Sequence, residues 1–222
     1  MTDVLIPIKK LSQAKGRLGN VLNPEQRACL VLAMLRDMLA TLRRNDIEDI
    51  WLVAQDEAVI TLGTEFDARA IPETNPQGYN QAVAQGLRAI APNRSVIVLP
   101  ADVPLIATHD IDRLTHLNSN KRPCVGIVPD RHKSGTNGLF LSTADLIEPV
   151  FGSSSFMGHQ IAATKSGINP NIIPSKNLAL DIDTADDLFE LIHVANSGVT
   201  KAYLNSIAAN LPSVAQQKRG VA

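Results

Sequence analysis

Apolar and polar positions alternate in blocks from one end of the chain to the other. Val4, Leu5, Ile6 and Ile8 form an apolar run typical of a buried strand. Asn23-Pro24-Glu25 then supplies an N-cap, a proline at the first helical position and an early acid. Leu32, Leu35, Leu39 and Leu42 recur at helical spacing until Arg43 and Arg44 close the segment. "IWLVA" (50–54) predicts a short buried strand, and "ARAIP" (68–72) another, ending at the turn-rich "ETNPQG" (73–78). Val83, Leu87 and Ile90 stripe a helix from about Asn80 to Ala91. "SVIVLP" (95–100) is apolar on both faces, as a central parallel strand should be.

The second half continues the alternation. Ile111, Leu114 and Leu117 mark a short helix; "CVGIV" (124–128) and "NGLFLS" (137–142) predict strands joined by the charged loop "PDRHKSG". A short helix is expected near 143–150, and another beginning near Phe156. "LALDIDTADDLFELI" (178–192) is expected to be a strand turning directly into a helix. The pattern predicts an α/β fold, with one twisted, mostly parallel sheet flanked by helices on both faces. No internal repeat or shift in composition divides the chain, so one domain over 1–211 is expected, with 212–222 as a frayed tail. The stretch from Leu191 to Leu211 is open to two readings, packing on the core or forming a homodimer contact.

Composition narrows the function classes. At 222 residues and 45% apolar, the chain suits one full-sized α/β domain with a sizeable core. Its 21 basic and 22 acidic residues leave a net charge of −1, which argues against broad binding to nucleic acid or to an anionic membrane. Any anion chemistry must come from local clusters. Cys29 and Cys124 lie far apart without ligand spacing, so they are expected as small core residues of a protein in a reducing compartment. No signal peptide or membrane span is visible, and a cytoplasmic location is expected.

Ligands of open α/β sheets sit beyond the carboxyl ends of the strands, so the residues there carry the candidate chemistry. After the first strand come Lys9, Lys10, Lys15 and Arg17 with no acid among them. That is either a counter-charge for phosphates or a solvated loop. In "LPADVPL" (99–105), Asp102 follows a buried strand. A lone aspartate there is first a turn residue, although Pro100 and Pro104 would hold a working carboxylate rigid. In "LALDIDTADDL" (178–188), Thr184 and Asp187 look like a capping pair, and Asp186 falls in the first helical turn. Asp181 and Asp183 have no such explanation. A strand's period of two puts them on one face, where two carboxylates repel unless a cation or proton lies between them; they are candidate Mg²⁺ ligands. Gly152 through Ser155 precede a helix, so they either cradle an anion or merely cap it. His159, one turn on, either faces the same site or packs. No G-x-G-x-x-G follows any strand, which disfavours a dinucleotide-binding dehydrogenase.

Five segments in this order, "PIKKLSQAKGRL", "LPADVPL", "DRHKSGTNGLFL", "FGSSSFMGH" and "LALDIDTADDL", resemble the 2-phospho-L-lactate guanylyltransferase family of coenzyme F420 biosynthesis. The resemblance covers about residues 1–195 and is carried most specifically by AK-x-RL, DR-x-x-x-GTN and DIDT-x-x-DL. It implies a nucleotide-diphosphosugar transferase fold and transfer of GMP from GTP to 2-phospho-L-lactate, phosphoenolpyruvate or 3-phospho-D-glycerate. Asp102 and Asp181 would hold Mg²⁺ with Asp183 adjacent, and Thr136, Gly152 and Ser155 would bind the phospho-acid. Gly78 and Asn80 match the family's nucleotide-side motif, with Tyr79 in place of the usual Leu; Gly16 stands where Ser is common. Lys15 and Arg17, with Lys9 nearby, would supply the charge that related sugar nucleotidyltransferases obtain from a Gly-rich loop. Sugar-1-phosphate or molybdopterin nucleotidyltransferases are the rivals of the same fold, and a non-catalytic nucleotide-binding module is the rival of another class.

Overall fold

The apolar run at the N-terminus becomes strand β1 (Thr2–Pro7), buried at every position in the middle of the sheet. A computed structural model describes residues 1–43, 47–73, 77–120 and 123–208. The helix stop at Arg44, residues 74–76 of the turn and the expected tail after Leu211 therefore lie outside the described residues. Around β1 the sheet adds β2 (Ile50–Ala54), β3 (Arg69–Pro72), β4 (Ser95–Val98), β5 (Val125–Pro129), β6 (Thr136–Leu141) and β7 (Asn171–Ile172), in the order β3-β2-β1-β4-β6-β5-β7. All run parallel except β6, which is antiparallel to both of its neighbours. The mostly parallel sheet is as expected.

Successive side chains of a strand point to opposite faces, and the two faces carry separate cores. Val4 and Ile6 join α1 (Pro24–Leu42), α2 (Glu57–Thr64) and α4 (Thr108–Thr115) on one side, together with α6 (Ala185–Val194) and α7 (Val199–Ile207). Leu5 joins α3 (Tyr79–Ala89) and α5 (Ser155–Lys165) on the other. α1 starts as the sequence implies: Asn23 and Gln26 exchange side-chain-to-backbone hydrogen bonds in a capping box. Thr184 and Asp187 do the same for α6. The Asp37 carboxylate accepts the Val199 and Thr200 N–H groups at 2.8 Å, tying α7 to α1, and Leu204 and Ile207 are buried. The stretch after Leu191 thus packs on the core as far as Ile207.

Gly86 sets how closely α3 approaches the sheet. A Cβ there would lie 2.3 Å from Leu5 Cδ1 and 3.0 Å from its Cγ, so the whole Leu5 side chain would have to shift inside a sealed core. Gly86→Ala gains up to ~1 kcal/mol of helix propensity. Overpacking costs about 1–3 kcal/mol, so a net loss of stability is expected in a urea melt.

Three expectations fail. Residues 143–150 form bends and turns instead of a helix. Residues 178–183 join no strand ladder. Cys29 is exposed on α1 and Cys124 is only half-buried, so neither is a core residue.

Candidate active site

The chain runs outward from β1 to β2 and β3, then returns across β1 to lay down β4 on its other side. The carboxyl ends of β1 and β4 thus flank the switch point where open α/β sheets bind ligands. Each end carries a loop with a candidate residue. After β1, Leu11, Ala14 and Leu18 sink into the core and anchor the loop, and the Leu11 N–H donates to Asp56 Oδ2 at 2.8 Å. Between these anchors Lys15 takes a left-handed conformation (φ 53°), uncommon for a side-chain-bearing residue outside functional or strained sites. Its ammonium, only 8% exposed, donates to Asp102 Oδ2 from the β4 loop and to Asp183 Oδ1 at 2.9 Å. Arg17 differs. It is 77% exposed and stands 3.7 Å from Asp183 Oδ2. Lys15 is therefore built into the site, whereas Arg17 overhangs it.

The segment bearing Asp181 and Asp183 reaches the same place without being a strand. The Ile182 N–H donates to the Asp102 carbonyl at 3.1 Å, and the Ala179 carbonyl accepts the Arg131 N–H at 3.0 Å. Leu180 and Ile182 are buried while Asp181 and Asp183 are not, so the alternation expected of a strand holds without a ladder. Asn137 on β6 steadies the segment, donating to the Leu178 carbonyl at 2.8 Å and to Asp181 Oδ1 at 3.1 Å. The two acids are tuned apart. Burial, reinforced by the charge of Asp102, raises the pKa of Asp181 despite the bond from Asn137. Burial would also raise that of Asp183, but Lys15 outweighs it, with Arg17 and Lys9 helping, and the pKa is lowered. Lys15 shows the mirror effect: burial would lower its pKa, yet Asp102 and Asp183 carry it above the usual lysine value.

These residues fit a hard divalent cation. Asp102 Oδ1 is buried with no hydrogen-bond partner among the described residues, and the like charges of Asp102 and Asp181 repel one another. Oxygen donors and repelling carboxylates are what Mg²⁺ accepts, usually one or two carboxylates with substrate phosphates completing the shell. Among the described residues no group of three or more acids, histidines or cysteines is placed to hold a metal ion by itself. Lys15 engages one oxygen of Asp102 and one of Asp183, and Asn137 one of Asp181, so each of the three carboxylates keeps a second oxygen.

Two adjoining cavities open beside this cluster. One, of about 320 Å³, is lined by Lys9, Lys15, Arg17, Tyr79, Asp102 and Asp183. The other, of about 380 Å³, adds Lys10, Gln55, Glu73 and Gly78, and the two share Lys9, Gln13 and Tyr79. Gly78 opens α3 at φ +100°, a conformation that L side chains rarely adopt. Asn80 is used locally. Its side chain accepts the Phe151 N–H at 2.7 Å and donates to the Phe151 carbonyl at 2.9 Å, clamping the loop that carries Gly152.

Thr136, Gly152 and Ser155 form a second group. Gly152 (φ +125°) and Ser154 (φ 64°) turn the chain into α5, so Ser154 is the N-cap, without a side-chain cap bond, and Ser155 is the first helical residue, buried. The Phe156 N–H donates to the Ser134 carbonyl at 3.1 Å, closing α5 against the β5–β6 turn. Thr136 opens β6 next to Asn137, 2.9 Å from His159 Nδ1 through its Oγ1. Asn137 ties this group to Asp181, and Asn80, next to the cavity-lining Tyr79, ties it to α3 through Phe151; Thr136, Gly152, Ser155 and Asp181 themselves line neither cavity. Sequence reasoning missed both linking roles. The GTN motif named Asn137 without showing what it would hold.

His159 is fully buried, which lowers its pKa to about 4 from an ordinary value near 6.5. The unfolded chain takes up this proton first, so the contribution is whole above pH ~6.5 and is lost as pH falls toward 4, by ~3 kcal/mol in all. Urea melts between pH 7 and 4.5 should show that slope, and His159→Gln should flatten it.

A switch-point cavity with a basic first loop and a convergent acid cluster defines a nucleotidyltransferase. The fold is that of a Desulfovibrio desulfuricans protein placed among the nucleotide-diphospho-sugar transferases (TM-score 0.74, 17% identity, 94% of this chain and 96% of that one). The chain belongs to the family described as guanylyl transferase CofC like, whose model matches residues 2–220. It is 33% identical over 220 residues to the phosphoenolpyruvate guanylyltransferase of Conexibacter woesei, covering 95% of this chain and 98% of that protein. It is 34% identical over 209 residues to the 2-phospho-L-lactate guanylyltransferase of Methanocaldococcus jannaschii, covering 94% and 90%. No helix among the described residues is long and apolar enough to cross a membrane.

Proposed function

We propose that this protein transfers GMP from GTP to the phosphate of a small phosphorylated carboxylic acid, releasing pyrophosphate, as a step of coenzyme F420 assembly. Phosphoenolpyruvate, 2-phospho-L-lactate and 3-phospho-D-glycerate are the acceptors to consider; the names of the relatives above support the first two. The observation that carries the reading is the Lys15 ammonium held between Asp102 and Asp183 at the wall of a cavity, with Asp181 close enough to Asp102 to feel its charge. Paired opposite charges arranged around an open space suit a reaction between two polyanions.

The step is an in-line displacement at the α-phosphorus. An oxygen of the acceptor's phosphate forms the new P–O bond, and the α–β bridging bond breaks with its electron pair leaving on pyrophosphate. The second pKa of a phosphate monoester lies near ~6, so the nucleophile is already mostly dianionic at neutral pH and needs no general base. His159 is accordingly free of that duty, being buried and bonded at both ring nitrogens. Lys15, Arg17 and Lys9 offset the charge of the triphosphate and of the departing pyrophosphate. Asp102 and Asp181 would hold Mg²⁺, which when bound neutralises and aligns phosphate oxygens. Thr136, Ser155 and the Gly152 backbone would grip the acceptor, while Gly78 and Lys9, which line the second cavity, would face the nucleotide.

Pyrophosphate release from GTP, measured with each phospho-acid in turn and with glucose 1-phosphate as the sugar-phosphate control, tests the reading. Turnover with at least one phospho-acid and none with the sugar phosphate is expected. Turnover with the sugar phosphate alone, or with no acceptor at all, would overturn it.

A further inference from the structure

The proposed reaction leaves the buried imidazole of His159 without a role. We infer that His159 is a positioning residue that fixes the Thr136 hydroxyl as a hydrogen-bond donor to the phospho-acid; this rests on reading Thr136, Gly152 and Ser155 as the acceptor's cradle.

The geometry decides the direction of each bond. The Val150 N–H donates to His159 Nε2 at 3.0 Å, so that nitrogen carries no hydrogen. A neutral imidazole has one N–H, which must then sit on Nδ1. Nδ1 lies 2.9 Å from Thr136 Oγ1, and the only bond open to it is donation to that oxygen. A hydroxyl has one hydrogen and two lone pairs. With a lone pair committed to the ring, the Thr136 hydrogen is turned away from His159 and left for another acceptor. An anion needs donors around it, and a donor already oriented costs nothing to reorganise when the anion arrives. A β-branched side chain is stiff at χ1, which holds that orientation further.

The same ring also fixes the other half of the cradle. Its bond from Val150 pins the backbone just before Phe151 and Gly152. The Phe151 ring meets the imidazole edge-on (centroids 4.8 Å apart, 72°) and is itself met edge-on by the Tyr79 ring (5.2 Å, 73°), while Asn80 holds the Phe151 backbone at both polar atoms. One neutral side chain thus sets both the hydroxyl and the glycine loop. Burial keeps the ring neutral across the working range, consistent with this arrangement.

Two measurements test the inference. The first is ¹⁵N–¹H correlation of the histidine ring in the unaltered protein, where the Nδ1–H tautomer is expected for His159 at pH 6–8; an Nε2–H tautomer overturns the assignment outright. The second is a double-mutant cycle on steady-state kinetics. Thr136→Val should raise the acceptor's KM about tenfold or more, the scale of one hydrogen bond to a charged group, with the KM for GTP unchanged. His159→Gln should do likewise, and the double variant should fall well short of the product of the two single effects, because the histidine acts in part through the threonine and in part through the Val150 bond. Full additivity, or an equal rise in both KM values, would reduce His159 to a packing residue. An unchanged acceptor KM in Thr136→Val would instead overturn the cradle reading itself, whatever the tautomer proves to be.

Discussion

Asp102→Asn should lower kcat by a factor on the order of 10² or more, the scale of losing one preorganised electrostatic contact in a transition state. The substitution is nearly isosteric, so it removes charge and leaves shape. Asparagine cannot offer a second anionic oxygen at the position of Oδ1, the atom left buried and unpartnered in this structure. The fold should survive, since Lys15 keeps Asp183, the Asp102 backbone carbonyl still receives the Ile182 N–H, and the loop remains bracketed by Pro100 and Pro104. Removing one of several crowded carboxylates also relieves the repulsion that adds to burial in raising the Asp181 pKa. The measurement is therefore paired. Turnover should collapse while the thermal midpoint stays level or rises. Near-normal turnover would take Asp102 out of the chemistry.

Much of this architecture was legible because burial dictates periodicity. β1, β2, β4 and α1 fall within a few residues of where their apolar patterns put them. The failures are equally physical. Residues 178–183 show the alternation of a strand because one side faces the core, but alternation reports burial, and only a ladder partner makes a strand. Residues 143–150 place Ala144 and Ile147 at helical spacing and bury both, yet the run is too short to offset the cost of starting a helix and ends at Pro149. The reversed direction of β6 is written only in the loop before it, because the seven residues of PDRHKSG are too few for a parallel crossover. At the site, residue types could nominate Lys15, Asp102, Asp181 and Asp183, and motif order could join them to a family. What no pattern contains is the difference between a sequestered Lys15 and an overhanging Arg17, or the use of Asn80 as a clamp. Those depend on which loops the fold sets side by side.

Lys15→Ala should give the second large effect, a loss of kcat/KM for GTP on the order of 10² with the fold retained. The ammonium is 8% exposed, so salt and water screen it little, and alanine leaves Asp102, Asp181 and Asp183 facing one another without a counter-charge. Breaking a fully buried pair costs about 3–5 kcal/mol. Here Asp102 is 21% and Asp183 45% exposed, so water takes up part of the charge and a loss of ~1–2 kcal/mol is expected instead. The left-handed backbone at position 15 is no harder for alanine than for lysine, so the loss reports charge rather than strain. A divalent cation should then stand in for the missing ammonium: Mg²⁺ added without nucleotide should raise the melting temperature of Lys15→Ala more than that of the unaltered protein. Lys15→Arg should restore the stability but not the turnover, because a guanidinium keeps the counter-charge to the two carboxylates but cannot present it to phosphate as the compact ammonium does. A Lys15→Ala protein already melted at room temperature, with no recovery in Mg²⁺, would make this lysine a structural clamp and leave the triphosphate to Arg17 and Lys9.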